Sequence, residues 1–234
     1  MSLGEGFTFL AYAVGALVFL WAAAQRKMAT NGIAWVVAIG FTAGIAGAKL
    51  TQILAQGWPL AIPPEAALDP RIGGRALLGG LVFGWVGVEV AKRRLGIRRS
   101  TGDLFALALP AGEAVGRLGC FLNECCFGTP SDVPWAVEQQ GALRHPAQLY
   151  SAALAAIIFA TLLWLRRRVA LPEGALFRWY LVLFCGARFF LEFARHRDTL
   201  IAGLSPVQWL CIEIPVSVGI YLLVKSRRLK VATP

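Results

Sequence analysis

Charge is scarce in this chain: Asp, Glu, Lys and Arg make up only 15% of 234 residues, and 13 of them are acidic. Histidine occurs twice, at His145 and His196. The sequence contains no GxGxxG fingerprint, P-loop, HExxH pair or sustained repeat. Those absences remove the usual signatures of dinucleotide binding, nucleotide hydrolysis and zinc-peptidase chemistry, and nothing here requires a cofactor. Polar surface is short as well. With 57% hydrophobic residues and a mean hydropathy of +0.62, the chain has more apolar side chains than a soluble domain of this size can hide.

What the chain does have is a series of apolar runs, at about 7–24, 33–54, 74–91, 103–122, 147–165, 175–194 and 206–224. A hydrocarbon core of about 30 Å takes roughly 20 apolar residues of helix. The expected fold is therefore all-α, a single integral membrane domain over residues 1–234 with about seven transmembrane helices and short loops. The first run is followed, not preceded, by Arg26 and Lys27, and the only earlier charge is Glu5. This is the reverse of a cleaved signal peptide, so the first span is expected to be retained.

The net charge of +10 has to be read against its placement. In an alternating topology Arg26, Lys27, Lys92, Arg93, Arg94, Arg98, Arg99, Arg166, Arg167, Arg168, Arg178, Lys225, Arg227, Arg228 and Lys230 fall on one side. Positive loops stay in the cytoplasm, which puts the N-terminus outside, the C-terminus inside, and loops 55–73 and 123–146 on the outer face. The basic runs then suit anionic headgroups rather than nucleic acid. The remaining basic residues, Lys49, Arg71, Arg75, Arg117, Arg144, Arg188, Arg195 and Arg197, lie in outer halves of spans or outer loops. Ionisable groups at such depths are costly and by default mark a functional site; the competing reading is snorkelling of each arginine to the outer headgroups.

In the sixth run Arg188, Glu192 and Arg195 are spaced four and three apart, which predicts one helix face carrying two guanidinium groups around a carboxylate. That stripe suits either a structural ion-pair ladder or a lipid phosphate, whose oxygens match the guanidinium fork. The fourth run ends in GRLGCFLNECCFGTPSD, with Arg117, Asn123 and Glu124, and the fifth opens with RHPAQLY, with Arg144 and His145. Three segments remote in sequence thus bring arginines to a similar depth.

The order G-R-L-G-C-F-L-N, T-P-S-D-V-P-W, R-H-P-A-Q-L-Y resembles the prolipoprotein diacylglyceryl transferase family. Further echoes are GIAGAKL, GGRALLGG, ARFFLEFAR and LSPVQW, so the likeness covers about residues 40 to 220. The resemblance implies a bacterial inner-membrane enzyme working at the outer leaflet. Its partners would be an anionic phospholipid of the phosphatidylglycerol kind, whose diacylglyceryl group is moved, and a prelipoprotein signal peptide, whose lipobox cysteine thiol accepts it. Glycerol phosphate leaves. By family pattern Arg117 and Arg188 handle the phosphate, Asn123 lines the site, Glu192 and Arg195 position the arginines, and Arg144, His145, Gln148 and Tyr150 match the R-H-P-S-Q-L-Y element.

This sequence also departs from that pattern. Leu78 stands where family members usually have a histidine, Cys120 replaces an Asn, and Glu124-Cys125 replaces a Gly-Glu pair. A thiol acceptor needs a base, and the candidates left are His145, Glu124 and Glu192, with His145 closest to neutral titration. Three function classes stay open: a phospholipid-dependent transferase, a catalytically silent lipid-binding relative, and a small transporter, which the apolar inner halves disfavour. Cys120, Cys125 and Cys126 form C-x4-C-C, while Cys185 and Cys211 lie within spans. The spacing lacks a second C-x-x-C or a histidine pair, so no metal is expected; an outer location permits a disulfide or a covalent intermediate instead.

Overall fold

The computed structural model describes residues 2–28, 31–55, 77–195 and 200–232. Arg71, Arg75, His196, Arg197 and most of the loop 55–73 lie outside the described residues, as does the side chain of Leu78. Every long element is helical: α1 (Leu3–Gln25), α2 (Asn31–Ala55), α3 (Leu77–Arg94), α4 (Gly102–Leu122), α5 (Ala147–Arg168), α6 (Ala175–Leu191) and α7 (Pro206–Ala232). Five of these, α1, α2, α4, α5 and α7, are long and apolar enough to cross a membrane. The other two are marginal for different reasons. The last turn of α3 is Lys92, Arg93 and Arg94, and α6 is only 17 residues before it tightens into a 3₁₀ turn, Glu192–Ala194. The protein is an all-α polytopic membrane protein, with large apolar side chains such as Trp35, Trp85, Trp164 and Leu223 turned outward as a lipid-facing surface demands.

The chain forms two compact units, Ala23–Arg99 and the combination of Met1–Ala22 with Ser100–Pro234. In the first, α2 and α3 approach through glycines. A Cβ added at Gly44 would sit 3.2 Å from the Gly80 carbonyl oxygen, and one at Gly84 would sit 3.4 Å from that of Gly40. The two GxxxG stripes are therefore one interface, where missing side chains let backbones touch.

In the second unit the register of α4 against α6 is set at their N-termini. Asp103, 2% exposed, accepts hydrogen bonds from the backbone N–H of Gly174 (2.9 Å) and Phe177 (3.0 Å). A carboxylate on one helix thereby satisfies the first-turn donors of another and complements its dipole. The two N-termini lie side by side, so α4 and α6 run parallel. Arg117 follows Asp103 by as many residues as Arg188 follows Gly174, about 21 Å of helix in each case. One buried carboxylate thus levels two arginines at the far end.

The polar segment after α4 contains a short hairpin, β1 (Val137–Gln139) with β2 (Ala142–Arg144), paired Gln139 to Ala142. Both turn residues, Gln140 (φ 52°) and Gly141 (φ 70°), are left-handed, as a two-residue hairpin with the natural strand twist requires. Bridges join Pro130 to Arg144 and Gly128 to Arg195, tying the segment back to the end of α6.

Candidate active site

The arginines meet at the ends of α4 and α6. Arg117 makes a two-pronged contact with Glu113, Nε and Nη2 donating to Oε1 at 3.2 and 3.0 Å. Arg188 pairs with Glu192 at 2.8 Å. Arg117, Glu113, Glu192 and Arg195 all lie within electrostatic reach of Arg188, so the two helices contribute to one charged cluster. Arg195 arrives differently from the expected helical stripe. The helix ends at Leu191, Glu192 opens the 3₁₀ turn, and Arg195 is extended (φ −95°, ψ 149°). Its Nε stands 4.0 Å from the Glu192 carboxylate, and the bridge to Gly128, not helix periodicity, holds it there.

Glu192 is buried and doubly engaged. Ser205 Oγ donates to its Oε1 at 3.2 Å. Ser205 and Gln208 form a reciprocal capping box on α7, Ser205 N to Gln208 Oε1 at 2.9 Å and Gln208 N to Ser205 Oγ at 3.2 Å, which satisfies two first-turn donors at once. Gln208 also donates to the Phe189 carbonyl at 3.2 Å. The start of α7 therefore fixes the carboxylate that fixes the arginines.

Two nitrogens in the cluster are left over. Arg188 Nη1 and Arg195 Nη1 are both buried and have no hydrogen-bond partner. A buried guanidinium N–H without an acceptor is costly, more so than a neutral donor. Together with Glu192 Oε2, which is ion-paired to Arg188 but accepts no hydrogen bond, these two nitrogens make this cluster a candidate place for an anionic ligand with acceptor oxygens.

The other expected site residues divide into a frame and a rim. Arg144 does not join the cluster. Its Nε donates to the Gln139 carbonyl at 3.0 Å, its Nη1 to that of Gly128 at 3.3 Å, and its guanidinium lies 4.6 Å over the Phe127 ring. Gln148, fully buried, donates to the Cys125 carbonyl (2.9 Å) and to Gln139 Oε1 (3.0 Å). Both brace the loop. His145 Nδ1 is 3.2 Å from the Tyr150 hydroxyl, which also accepts from Trp135 Nε1 at 2.6 Å. Asn123 caps α4 and its side-chain oxygen accepts from Ser2 Oγ at 3.3 Å, while Glu124 is exposed in a left-handed conformation (φ 48°).

Glu113, Ser205 and Gln208 are participants that the sequence reading does not single out. Their signals are present: Glu113 precedes Arg117 by one helical turn, the favourable order for an ion pair, and Ser205-Pro-Val-Gln208 has the form of a capping box. The three cysteines of C-x4-C-C also converge, their Sγ atoms within 4.8 Å of one another. Hydrogen bonds from Cys120 and Cys125, helped by Arg195, push the Cys126 thiol well below the usual thiol range, and the same contacts push Cys125 up. A cavity of about 400 Å³ lies elsewhere, at the opposite ends of α4 and α6, lined by Ser100, Gly102, Gly174 and Arg178 among others. It contains none of the clustered arginines.

The family model for prolipoprotein diacylglyceryl transferase matches residues 7–225. The phosphatidylglycerol–prolipoprotein diacylglyceryl transferase of Cupriavidus metallidurans is 32% identical, over 94% of this chain and 88% of that protein. That of Bordetella parapertussis is 38% identical over 64% of this chain; the match spans 61% of its own length. The protein of the same name from Streptomyces griseus is 28% identical over 92% of this chain and 70% of its own. With the family model matching nearly the whole chain, the protein belongs to the prolipoprotein diacylglyceryl transferase family.

Proposed function

We propose that the protein transfers the diacylglyceryl group of phosphatidylglycerol to the lipobox cysteine thiol of a prelipoprotein, with release of glycerol phosphate, at the outer leaflet of the bacterial inner membrane. The observation that carries this reading is the pair of buried, unpartnered nitrogens, Arg188 Nη1 and Arg195 Nη1. The names of the relatives supply the donor and acceptor. The outer location rests on the basic loops of the other face, with the N-terminus outside and the C-terminus cytoplasmic.

In the reaction a thiolate sulfur attacks the glyceryl carbon, the carbon–oxygen bond to the phosphate breaks, and the phosphate takes up the released charge. Arg188, Arg195 and Arg117 supply cationic donors that strengthen as this charge develops. Glu113 and Glu192 hold the guanidinium groups in place through the ion pairs at 3.0 and 2.8 Å. Glu192 is committed to those pairs and to Ser205, which disfavours it as the base. His145 is the better candidate, since Tyr150 orients its ring through Nδ1 and leaves Nε2 for the acceptor thiol. Glu124, exposed on the rim, is the alternative. Arg144, Gln148 and Tyr150 act by shaping the loop around the acceptor, and Asn123 borders the opening.

The test is a reconstituted assay with labelled phosphatidylglycerol and a lipobox peptide, wild type against Arg117→Ala and Arg188→Ala, with every lipid product identified by mass spectrometry. Arginine-dependent peptide lipidation with glycerol phosphate release is the expected result. Donor consumption without lipidated peptide assigns another acceptor. Donor binding without consumption assigns the lipid-binding role that Leu78, a side chain unable to accept a proton in the family histidine's place, favours.

A further inference from the structure

Cys120 lies on the last turn of α4, and Cys125 and Cys126 follow the turn that ends it. Spacing alone argues against a metal here, but the fold changes the geometry. The Cys125 N–H bonds the Cys120 carbonyl at 3.0 Å, folding the chain back over the helix end, and Gln148 holds the Cys125 carbonyl from below at 2.9 Å. Thr129 N bonds the Ala194 carbonyl at 3.0 Å, and Gly128 is packed so tightly against the His145 and Ala194 carbonyls that no Cβ fits. Glu124 and Cys126 occupy the left-handed region at φ 48° and 59°, a conformation costing a non-glycine residue about 1–2 kcal/mol. The turn is thus held from several sides in a form that brings three thiols together.

From this geometry we infer that Cys120, Cys125 and Cys126 form a three-coordinate thiolate site for a soft d¹⁰ metal ion of the monovalent copper class. Three sulfurs at about 2.3 Å from one ion in a plane stand about 4 Å apart, and these all lie within 4.8 Å of one another, so binding asks for at most a small contraction. Cys125 and Cys126 are exposed and Cys120 is half-buried, which gives the ion a way in. Among the described residues the cluster of close ligand groups holds three thiols and no histidine or carboxylate. A set of three thiolates suits an ion that accepts three-coordination and selects soft cations over zinc, which prefers four. Three thiolates around such an ion carry excess negative charge, and Arg117 and Arg195 lie within electrostatic reach of Cys126 to balance it. Cys185 and Cys211, buried in α6 and α7, are separate.

The site borders Arg117 and Arg195 of the proposed phosphate cluster, but its test needs no lipid substrate and does not depend on the transferase reading. The full chain in detergent, reduced with a phosphine under anaerobic conditions, is titrated against monovalent copper held by a bicinchoninate chelator. One equivalent is expected to move to the protein. Cys120→Ser, Cys125→Ser and Cys126→Ser are each expected to weaken uptake by about 100-fold or more, and Cys185→Ser and Cys211→Ser to leave it unchanged. In the unmutated protein copper is expected to protect Cys120, Cys125 and Cys126 from maleimide, a readout that does not depend on any variant folding. Failure to withdraw copper overturns the site, as does uptake insensitive to the three substitutions or lost only with Cys185→Ser or Cys211→Ser. A preference for divalent zinc in direct competition overturns the three-coordinate assignment.

Discussion

The two ends of the α4–α6 pair are built from the same materials and finished differently. At the N-terminal end Asp103 is buried and bonded to two backbone N–H groups, its charge absorbed by a helix dipole. At the other end Arg188 and Arg195 are half-buried, yet each retains a buried nitrogen with no hydrogen-bond partner. Folding closes one charge and leaves the others open. A buried polar group that is fully satisfied contributes to structure, whereas one left wanting an acceptor costs stability in the free protein and recovers it on binding. Parallel helices join the two tasks, because the closed end sets the height of the open one.

Substitutions can pull the two ends apart. The largest effect is expected at the open end: Arg188→Ala lowers peptide lipidation by about 10²–10³-fold, the range for losing one preorganised donor to a developing oxyanion, when compared at equal folded fraction. It also lowers stability, because Glu192 loses its partner at 2.8 Å. Full peptide lipidation by the folded Arg188→Ala protein would make Arg188 a structural residue and erase the contrast.

Glu192→Gln comes next. It leaves Arg188 and Arg195 facing each other without the carboxylate, and removing one member of a buried pair costs about 3 kcal/mol or more. Activity and melting temperature should fall together, and added anionic phospholipid should restore part of the lost stability by supplying the missing charge; no restoration would argue against an anion site.

Asp103→Ala tests the closed end. The expected loss is about 1–2 kcal/mol of stability, as for other helix-capping side chains, with transfer changed less than tenfold below the melting transition. Transfer abolished in a stably folded Asp103→Ala protein would mean that the two ends are not separable.

The smallest effect is expected for Tyr150→Phe, which removes the hydroxyl shared by His145 and Trp135 at a cost of about 1 kcal/mol. With His145 as the base, peptide lipidation slows while the apparent affinity for phosphatidylglycerol does not change. An unchanged rate in Tyr150→Phe and His145→Ala proteins transfers the role of base to Glu124.

The sequence by itself determined the class and most of the outline. Apolar runs about one bilayer long leave a chain little choice but membrane-spanning helix, since only internal hydrogen bonding satisfies the backbone in hydrocarbon. The seven runs and the observed helices differ mainly at their ends. Charged residues in apolar surroundings stand out in one dimension, so Arg117, Arg188, Glu192 and Arg195 were legible as a candidate cluster, which the fold brings together. Tertiary structure decided what each of them does. Arg144 carries the same charge as Arg188, but the hairpin turns it onto backbone carbonyls, a contact between segments that no spacing encodes. Arg195 shares a helical spacing with Glu192, yet the helix stops first and a bridge to Gly128 places it. The sequence groups Cys120, Cys125 and Cys126 as one C-x4-C-C motif, but only the turn through Glu124 and Cys126 brings their sulfurs within 4.8 Å of one another. Local patterns report which groups are buried or charged; which acceptor each one finds, and which ones find none, depends on residues brought close only by the fold.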